Sequence, residues 1–467
     1  MPDLAPPLAE TIPIDQRLGL PPRQARLYNK LPDGRVQCFL CPRHCNLAPD
    51  RYGFCKVRKN LDGELVTLNY GVSVQLTEEV IETEAVNHFR PGARILSLGN
   101  VGCMMRCEFC QNWATSQAAY VREEDVRRYT PEEVVETALA HGIGVLSWTY
   151  NDPVVWHEFV IDTARLARKH GILNLFKSAF YIGPEAVDEL HEVIDIFSLS
   201  LKSMDPVFYT KMTRARLEPV LEAIKQVRRF GDCHLEISNL LVTGANDTLA
   251  DAEKVARWML DELGDDVPLH YVRFHPAFEY TAVGRTDIGL LKAAREQALQ
   301  MGVKHCYLGN VFETGPWSDT ACRKCGEILV KRFGLRSSTP GLDGEGHCRG
   351  CGGKSSVTVA PAGAAPKVSA ATFPRQITRL WSGEIGSGHV EVLNLTDSPQ
   401  SVVLRRDLRD QAGEVIPLRP GEQWRFLVSR ERPDSPGVAL HHTDGVRVDC
   451  WDVLDRAHFP TAQEMNR

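Results

Sequence analysis

The sequence predicts an α/β protein whose core is a full or partial (β/α) barrel. A cysteine-rich module precedes that core, a second cysteine module follows it, and a β-rich domain of sandwich type ends the chain. Three observations carry the prediction. From about residue 94 to 308, short apolar runs alternate with helical stretches, the grammar of parallel strands joined by helical crossovers. Eleven of the 14 cysteines fall into three tight groups. Beyond about residue 370 the pattern changes to period-two alternation broken by turns. An open doubly wound sheet is the second architecture; in either one, reactive groups belong at the C-terminal ends of the strands.

Bulk composition narrows the classes. A chain of 467 residues implies two to four domains, and 43% hydrophobic with 24% charged residues is globular. A formal net charge of −6 gives no global reason to expect nucleic acid or anionic membrane as partner. No apolar stretch approaches the roughly 20 residues of a membrane helix. The start, Met-Pro-Asp-Leu-Ala-Pro-Pro, lacks the basic and apolar regions of a signal peptide, so the cytoplasm is the expected compartment. There, grouped cysteines bind metals rather than form disulfides. Cys233, Cys306 and Cys450 stand alone and read as small buried apolar residues.

Residues 1–34 are a proline- and charge-rich lead-in with a short helix expected at 22–31. A metal-binding module follows over 35–93. It contains Cys38-x2-Cys41-x3-Cys45-x9-Cys55 and then a strand–turn–strand pattern with Asp62-Gly63 at the turn. Four soft ligands in a turn-rich segment suit tetrahedral zinc or a fully ligated auxiliary cluster, and spacing does not separate the two; His44 reads as a bystander.

The α/β core is expected over 94–315. Its strands are expected at 95–99, 144–150, 173–179, 194–201, 234–242 and 268–275, with a seventh at 304–308. Helices are expected at 131–141, 154–169, 184–192, 218–230, 249–263 and 290–301. Thr130-Pro131-Glu132-Glu133 shows the start chemistry: a cap, proline at the first position, then acids in the first turn. Cys103, Cys107 and Cys110 follow the first strand. Cuboidal clusters are usually held by four cysteines, so a compact set of three leaves one iron open. Thr149-Tyr150-Asn151-Asp152-Pro153 ends the second strand, Lys177-Ser178 the third, Ser200-Leu201-Lys202 the fourth and Arg273-Phe274-His275-Pro276 the sixth. Hydrophilic loops account for Ser178 and Ser200 singly, but less well for Asn, Lys and His at the ends of three separate strands.

Over 316–360, Cys322-x2-Cys325-x22-Cys348-x2-Cys351 has two knuckles flanked by glycine, the pattern of a structural zinc ribbon, with an auxiliary cluster as the alternative. Residues 361–371, rich in Ala, Pro and Gly, read as a linker. Residues 372–467 read as a β-rich domain without a catalytic constellation.

The motifs together resemble a known family. Cys103-x3-Cys107-x2-Cys110, with Phe109 before the last cysteine, is similar to the signature of radical S-adenosylmethionine (radical SAM) enzymes. Cys38-Phe-Leu-Cys-Pro-Arg-His-Cys45, His88-Phe-Arg-Pro-Gly92, Cys110-Gln-Asn-Trp113, Thr149-Tyr-Asn-Asp-Pro153 and Tyr307-Leu-Gly-Asn310 resemble the AmmeMemoRadiSam-system radical enzymes, relatives of the pyruvate formate-lyase activating enzymes. The resemblance covers roughly residues 35–355. It implies a barrel of radical SAM type and a [4Fe–4S] cluster on Cys103, Cys107 and Cys110, with S-adenosylmethionine chelating the fourth iron. It further implies a one-electron reductant of flavodoxin or ferredoxin type. By the same resemblance Phe109 packs near the adenine, Tyr150, Asn151 and Asp152 meet the methionine amino group, Lys202 pairs with its carboxylate, and His275 faces the nucleoside or substrate. The chain departs from the family at Asp152 (usually Glu), at Ser178-Ala179-Phe180 (usually Thr-Asn-Gly) and at Ser200 (usually Asp).

The expected function is therefore reductive cleavage of S-adenosylmethionine and hydrogen abstraction from a small molecule or peptide. Activation of a glycyl-radical enzyme is the alternative, followed by a zinc-binding scaffold without radical chemistry. Nucleic-acid binding comes last, because basic runs such as Arg214-Ala-Arg216 and Arg405-Arg406 read as solvated faces.

Overall fold

Seven strands alternate with helices as the apolar runs require: β1 Arg94–Asn100, β2 Val145–Thr149, β3 Leu173–Ser178, β4 Ile196–Ser200, β5 His234–Leu241, β6 Leu269–Arg273 and β7 Cys306–Gly309. Between them lie α1 Pro131–Ala140, α2 His157–Lys169, α3 Pro184–His191, α4 Leu217–Phe230, α5 Leu249–Glu262 and α6 Ile288–Met301. This computed structural model describes residues 12–311, 313, 315–359, 367–369, 376–381, 387–407, 412–429 and 438–452. The expected linker lies largely outside them. The chain divides into two units. One comprises residues 1–75, 97–135 and 146–310, and the other residues 76–96, 136–145 and 311–467.

In the first unit the strands pair in chain order from β1 to β7 without a reversal. The pairs from β3 to β7 are parallel. The two faces of these strands differ sharply. Phe176, Phe197, Leu199, Ile237, Leu269 and Tyr271 are buried on one, and Tyr271 Oη donates to the Ala252 carbonyl of α5 at 2.8 Å, which turns that face toward the helices. The other face carries Lys177, Ser198, Ser200, Glu236, Ser238 and His270, brought side by side by the registers Lys177↔Ser198, Ser198↔Glu236, Ser200↔Ser238 and Ser238↔His270. A helix-packed face must be apolar, so the polar residues mark the face available for chemistry.

Helix starts follow their sequence signals. Thr130 and Glu133 close a reciprocal capping box at α1, Thr248 caps α5 and Asp287 caps α6. The run before α2 differs from the expected start at 154, because Pro153–Trp156 forms a 3₁₀ turn and α2 begins at His157.

The short helix expected at 22–31 is absent from that segment, which holds the strands Arg23–Gln24 and Tyr28–Lys30. Leu27 has φ 59°, and the backbone groups pair outward: Ala25 N–H donates to Leu65 O and Phe39 N–H to Leu27 O, both at 2.9 Å. The lead-in also packs, with Ile14, Leu18 and Leu20 buried. Asp62 and Gly63, at φ 51° and 83°, turn the hairpin Arg58–Leu61/Glu64–Thr67. Buried Arg58 donates twice to Glu158 of α2, at 2.5 and 2.8 Å, tying this hairpin to the core.

In the second unit, Thr320–Ala321, Ile328–Phe333 and Arg336–Ser338 form a small antiparallel sheet over a core of Leu329, Val330, Leu342, Cys348 and Val357. Toward the C-terminus, Ser387–Asn394 pairs antiparallel with Gln423–Ser429 and Val446–Asp452. Five further strands form a second sheet, antiparallel throughout. Trp424 stacks on His141 with centroids 3.6 Å apart, and buried Arg425 pairs with Glu391 at 2.9 Å. Of the three lone cysteines only Cys306 is buried. Cys233 is half-buried, and Cys450 is exposed because it lies on the edge strand Val446–Asp452. Among the described residues no helix is long and apolar enough to cross a membrane.

Candidate active site

The cysteine run begins where β1 ends. Gly102 turns the chain at φ +85°, and a Cβ there would lie 2.8 Å from Val57 Cγ1 and 3.0 Å from Cys55 O. Glycine thus lets the loop lie directly against the segment carrying Cys55. Arg106 N–H donates to Thr213 O and Glu108 N–H to Met212 O, both at 3.0 Å, which pins the loop on either side of Cys107. Met105 N–H points at Cys103 Sγ (3.3 Å), and Ser116 Oγ lies 3.4 Å from Cys110 Sγ.

Burial pushes all three thiols up: Cys107 to about 12, Cys110 less, and Cys103 well above the ordinary thiol range. The charges of Cys107 and Cys110 act on Cys103, while Lys202 favours the thiolates of Cys107 and Cys110. Three thiols carried on one short loop, with one ammonium acting on two of them, are a donor set that fits a cluster of iron with one corner open. They do not suit a free thiol nucleophile, which needs a lowered pKa.

Of the other expected residues, Tyr150, Asn151, Asp152 and Lys202 lie around this loop. Asp152, at the turn after β2, is buried. It accepts Ser178 Oγ–H at 2.8 Å, Ala179 N–H at 2.9 Å and Val154 N–H at 3.2 Å. Burial raises its pKa against those three bonds and against Lys202. Asn151 is committed to the protein, for its amide donates to Asn100 O and accepts from Thr115 Oγ1. Tyr150 adopts φ 64°, and its carbonyl accepts from Asn112 Nδ2. The Lys202 ammonium stands 5.9 Å from the centroid of buried Phe109, and its carbonyl is held by Asn246 Nδ2 at 2.7 Å. His275 Nδ1 accepts from Arg285 Nε at 2.8 Å.

Sequence reasoning named Lys177 and Ser200 at strand ends but missed the group they join. Lys177 Nζ donates to Ser198 Oγ and Ser238 Oγ, each at 3.1 Å, and Ser238 Oγ lies 3.1 Å from Ser200 Oγ. Fully buried Glu236 joins His234 at 2.9 Å and His270 at 2.6 Å. Burial alone would raise the Glu236 pKa, but the two imidazoles outweigh it and hold the group well below the usual carboxylate range. The available signal was the alternation His234-Leu-Glu236-Ile-Ser238 beside Ser198-Leu-Ser200.

Eight of the remaining cysteines belong to the other two sequence groups. Cys41 responds to the charges of Cys38, Cys55 and Cys45, and Arg58 Nη1 lies 3.9 Å from Cys38 Sγ. Burial raises Cys41 above the ordinary thiol range and Cys55 to about 11. The sulfurs of Cys322, Cys325, Cys348 and Cys351 all lie within 4.8 Å of one another, with Cys322–Cys351 at 3.8 Å and Cys325–Cys348 at 3.6 Å. Four thiolates about 2.3 Å from a tetrahedral ion would stand about 3.8 Å apart.

Comparison with known proteins decides the family. The profile of the Radical SAM superfamily matches residues 97–259, the stretch holding the cysteine loop, Asp152 and Lys202. Uncharacterized protein MJ0808 of Methanocaldococcus jannaschii is 38% identical over 333 residues, 71% of this chain and 98% of that protein. The chain belongs to the radical SAM superfamily. It is also homologous to the pyruvate formate-lyase 1-activating enzyme of Escherichia coli K12, at 26% identity over 193 residues, 40% of this chain and 75% of that enzyme. A domain of the pyruvate formate-lyase-activating enzyme from Bacteroides vulgatus aligns with a TM-score of 0.31 and 19% identity, covering 35% of this chain and 98% of that one. Radical SAM membership implies an enzyme that uses an iron–sulfur cluster and S-adenosylmethionine.

Proposed function

We propose that this radical SAM protein holds a [4Fe–4S] cluster on Cys103, Cys107 and Cys110, cleaves S-adenosylmethionine reductively and abstracts hydrogen from a small-molecule or peptide substrate. The observation that carries the reading is the meeting of the three-cysteine loop with the Asp152 carboxylate and the Lys202 ammonium at the ends of β1, β2 and β4, with Lys202 5.9 Å from the ring of Phe109 inside that loop. When bound and reduced, the cluster supplies the electron that breaks the sulfonium bond.

The chain's own residues do the rest. Asp152, aimed by Ser178 and Ala179, receives the methionine ammonium, while Lys202 receives its carboxylate. Phe109 and His275 flank the nucleoside. Tyr150 and Asn151 shape the turn, Asn151 by fixing it to Asn100 and Thr115 rather than by spending its amide on the ligand. The polar face of Lys177, Ser198, Ser238 and Glu236 receives the substrate, and the pairing of β1 to β7 in chain order supports a partial barrel around it.

The four sulfurs within 4.8 Å support zinc at Cys322, Cys325, Cys348 and Cys351. The Cys38, Cys41, Cys45 and Cys55 set suits zinc or an auxiliary cluster. Free thiols in this number favour a reducing compartment such as the cytoplasm.

Anaerobic reconstitution followed by dithionite reduction should yield 5′-deoxyadenosine from S-adenosylmethionine, read by mass spectrometry. An intact cluster with no cleavage overturns the reading. The alternative, activation of a glycyl-radical enzyme, draws on the homology to the activating enzymes. Against it stands Phe180, buried at φ 57° where that family is expected to carry glycine.

A further inference from the structure

We propose that a metal centre on Cys38, Cys41, Cys45 and Cys55 fastens the mouth of the radical site, with Arg43 as the positioning residue that ties it to the three-cysteine loop. The inference rests on the radical SAM reading above and adds what the first cysteine group does for that site. Backbone bonds and one buried cation draw the group together. Cys38 N–H donates to Cys45 O at 3.0 Å and His44 N–H to Cys41 O at 3.2 Å, so three of the four share one tight turn. Buried Arg58 sets Nη1 3.9 Å from Cys38 Sγ, and its carbonyl accepts from Gly53 N–H at 2.8 Å, two residues before Cys55. Four sulfur donors on this frame fit a thiophilic centre, zinc or iron–sulfur alike, and the guanidinium offsets part of the thiolate charge.

The residues between these ligands reach the radical site. Arg43 Nε donates to Met104 O, next to Cys103, at 2.6 Å, and Arg43 Nη2 donates to Arg214 O. Its guanidinium lies 3.4 Å from the ring centroid of Phe54, the neighbour of Cys55. Pro42 O accepts from Arg216 at 3.0 Å, and Leu40 O accepts Gly183 N–H at 2.9 Å. A Cβ on Gly183 would stand 2.6 Å from Phe39 O, so the loop after β3 lies directly on the turn. Segments 39–43 and 55–57 thus hold the loops after β1, β3 and β4, which carry Cys103, Ala179 and Lys202. No residue from Cys41 to Asn46 is fully buried, so packing alone does not fix the turn that places these contacts. Ligation of the four sulfurs does, because binding free energy at such a site is folding free energy for the segment that supplies it.

The test uses the full-length protein reconstituted anaerobically, with zinc and iron counted per chain and backbone hydrogen exchange followed by mass spectrometry. The C41S/C45S variant should lose the metal of the first group, one zinc or about four irons per chain. Arg43→Ala should keep it. In both variants the amides of Arg106 and Glu108, bonded to the 212–213 carbonyls, should exchange about tenfold faster or more, while α5 stays as protected as in wild type. Arg43→Lys, which keeps a donor at that position, should recover part of the protection. Wild-type exchange at the loop in either variant overturns the proposal, as does full metal content in C41S/C45S. Equal loss of protection in α5 also overturns it, because the metal then serves the whole fold rather than the mouth. Neither readout needs turnover. A wild type that keeps its iron yet cleaves no S-adenosylmethionine refutes the proposed function, and the fastening is then judged on exchange and metal content alone.

Discussion

Asp152→Asn separates the work of the buried carboxylate from its place in the fold. Asp152 accepts three donors, two on Oδ1 from Ser178 and Val154 and one on Oδ2 from Ala179 N–H. An asparagine has one acceptor oxygen. With that oxygen facing Ser178 and Val154, its NH2 faces the Ala179 N–H, donor against donor, and one buried group is orphaned at a cost of about 1–3 kcal/mol. Acting against this, the native carboxylate is costly to keep ionised, since burial raises its pKa. A group whose folded pKa lies above its unfolded value favours folding below the unfolded pKa and opposes it once ionised above the folded one, so the neutral amide relieves that penalty at neutral pH. The two effects oppose, and the melting temperature of the variant should move by only a few degrees.

The ligand has no such compensation. A charge-assisted hydrogen bond from the methionine ammonium contributes about 1.5–3 kcal/mol, so the dissociation constant for S-adenosylmethionine should rise about tenfold to a hundredfold. Anaerobic equilibrium binding to the reconstituted protein measures it, with iron content as the control that the cluster is retained. An unchanged dissociation constant at full iron occupancy would falsify the assignment of Asp152. Ser178→Ala, which removes one of the aiming donors, should weaken binding by less than tenfold.

Three further substitutions address the frame. Glu236→Gln breaks a buried carboxylate from two imidazoles and should cost about 3–5 kcal/mol at neutral pH. Because the folded pKa of Glu236 is depressed, its contribution is present above the ordinary Glu range and declines as pH falls below about 4, so the gap in melting temperature from wild type should narrow there; a gap constant with pH refutes it. Gly102→Ala places a methyl 2.8 Å from Val57 Cγ1 at φ +85° and should cost at least about 1–2 kcal/mol. Iron incorporation should fall with it, and normal iron content and stability would show that the loop does not need this approach. Cys348→Ser should remove one zinc per chain by metal analysis, since Cys348 Sγ lies 3.6 Å from Cys325 Sγ within the hydrophobic core of its module; unchanged zinc rejects that site.

What could be read from the sequence follows from how local its cause is. The seven strands and six helices between 94 and 309 were legible because each apolar run and each cap acts within a few residues: Thr130 and Glu133 bond each other, and Asp287 bonds Leu290. The helix expected at 22–31 failed because its backbone partners, Leu65 and Phe39, lie in other segments, and a short polar stretch takes the conformation its partners demand. The polar face was half legible. Period-two alternation at 198–200 and 234–238 announces two faces, but the register that sets Lys177 beside Ser198 and Ser238 joins three strands across 61 residues.

Asn151 marks where motif reading stops. Resemblance picks out Tyr150-Asn151-Asp152 as one unit meeting one ligand group, yet the three residues divide the labour. Tyr150 supplies a left-handed turn and a carbonyl for Asn112, while Asn151 locks that turn to Asn100 at the end of β1 and to Thr115 beyond the cysteines. Asp152 alone presents a carboxylate whose charge burial makes expensive. A carboxylate held by three directed donors, with Lys202 acting on it and thiols nearby, is suited to receiving a further cation. For that reason Asp152 is a stronger candidate for ligand contact than Asn151, although the motif marks them equally.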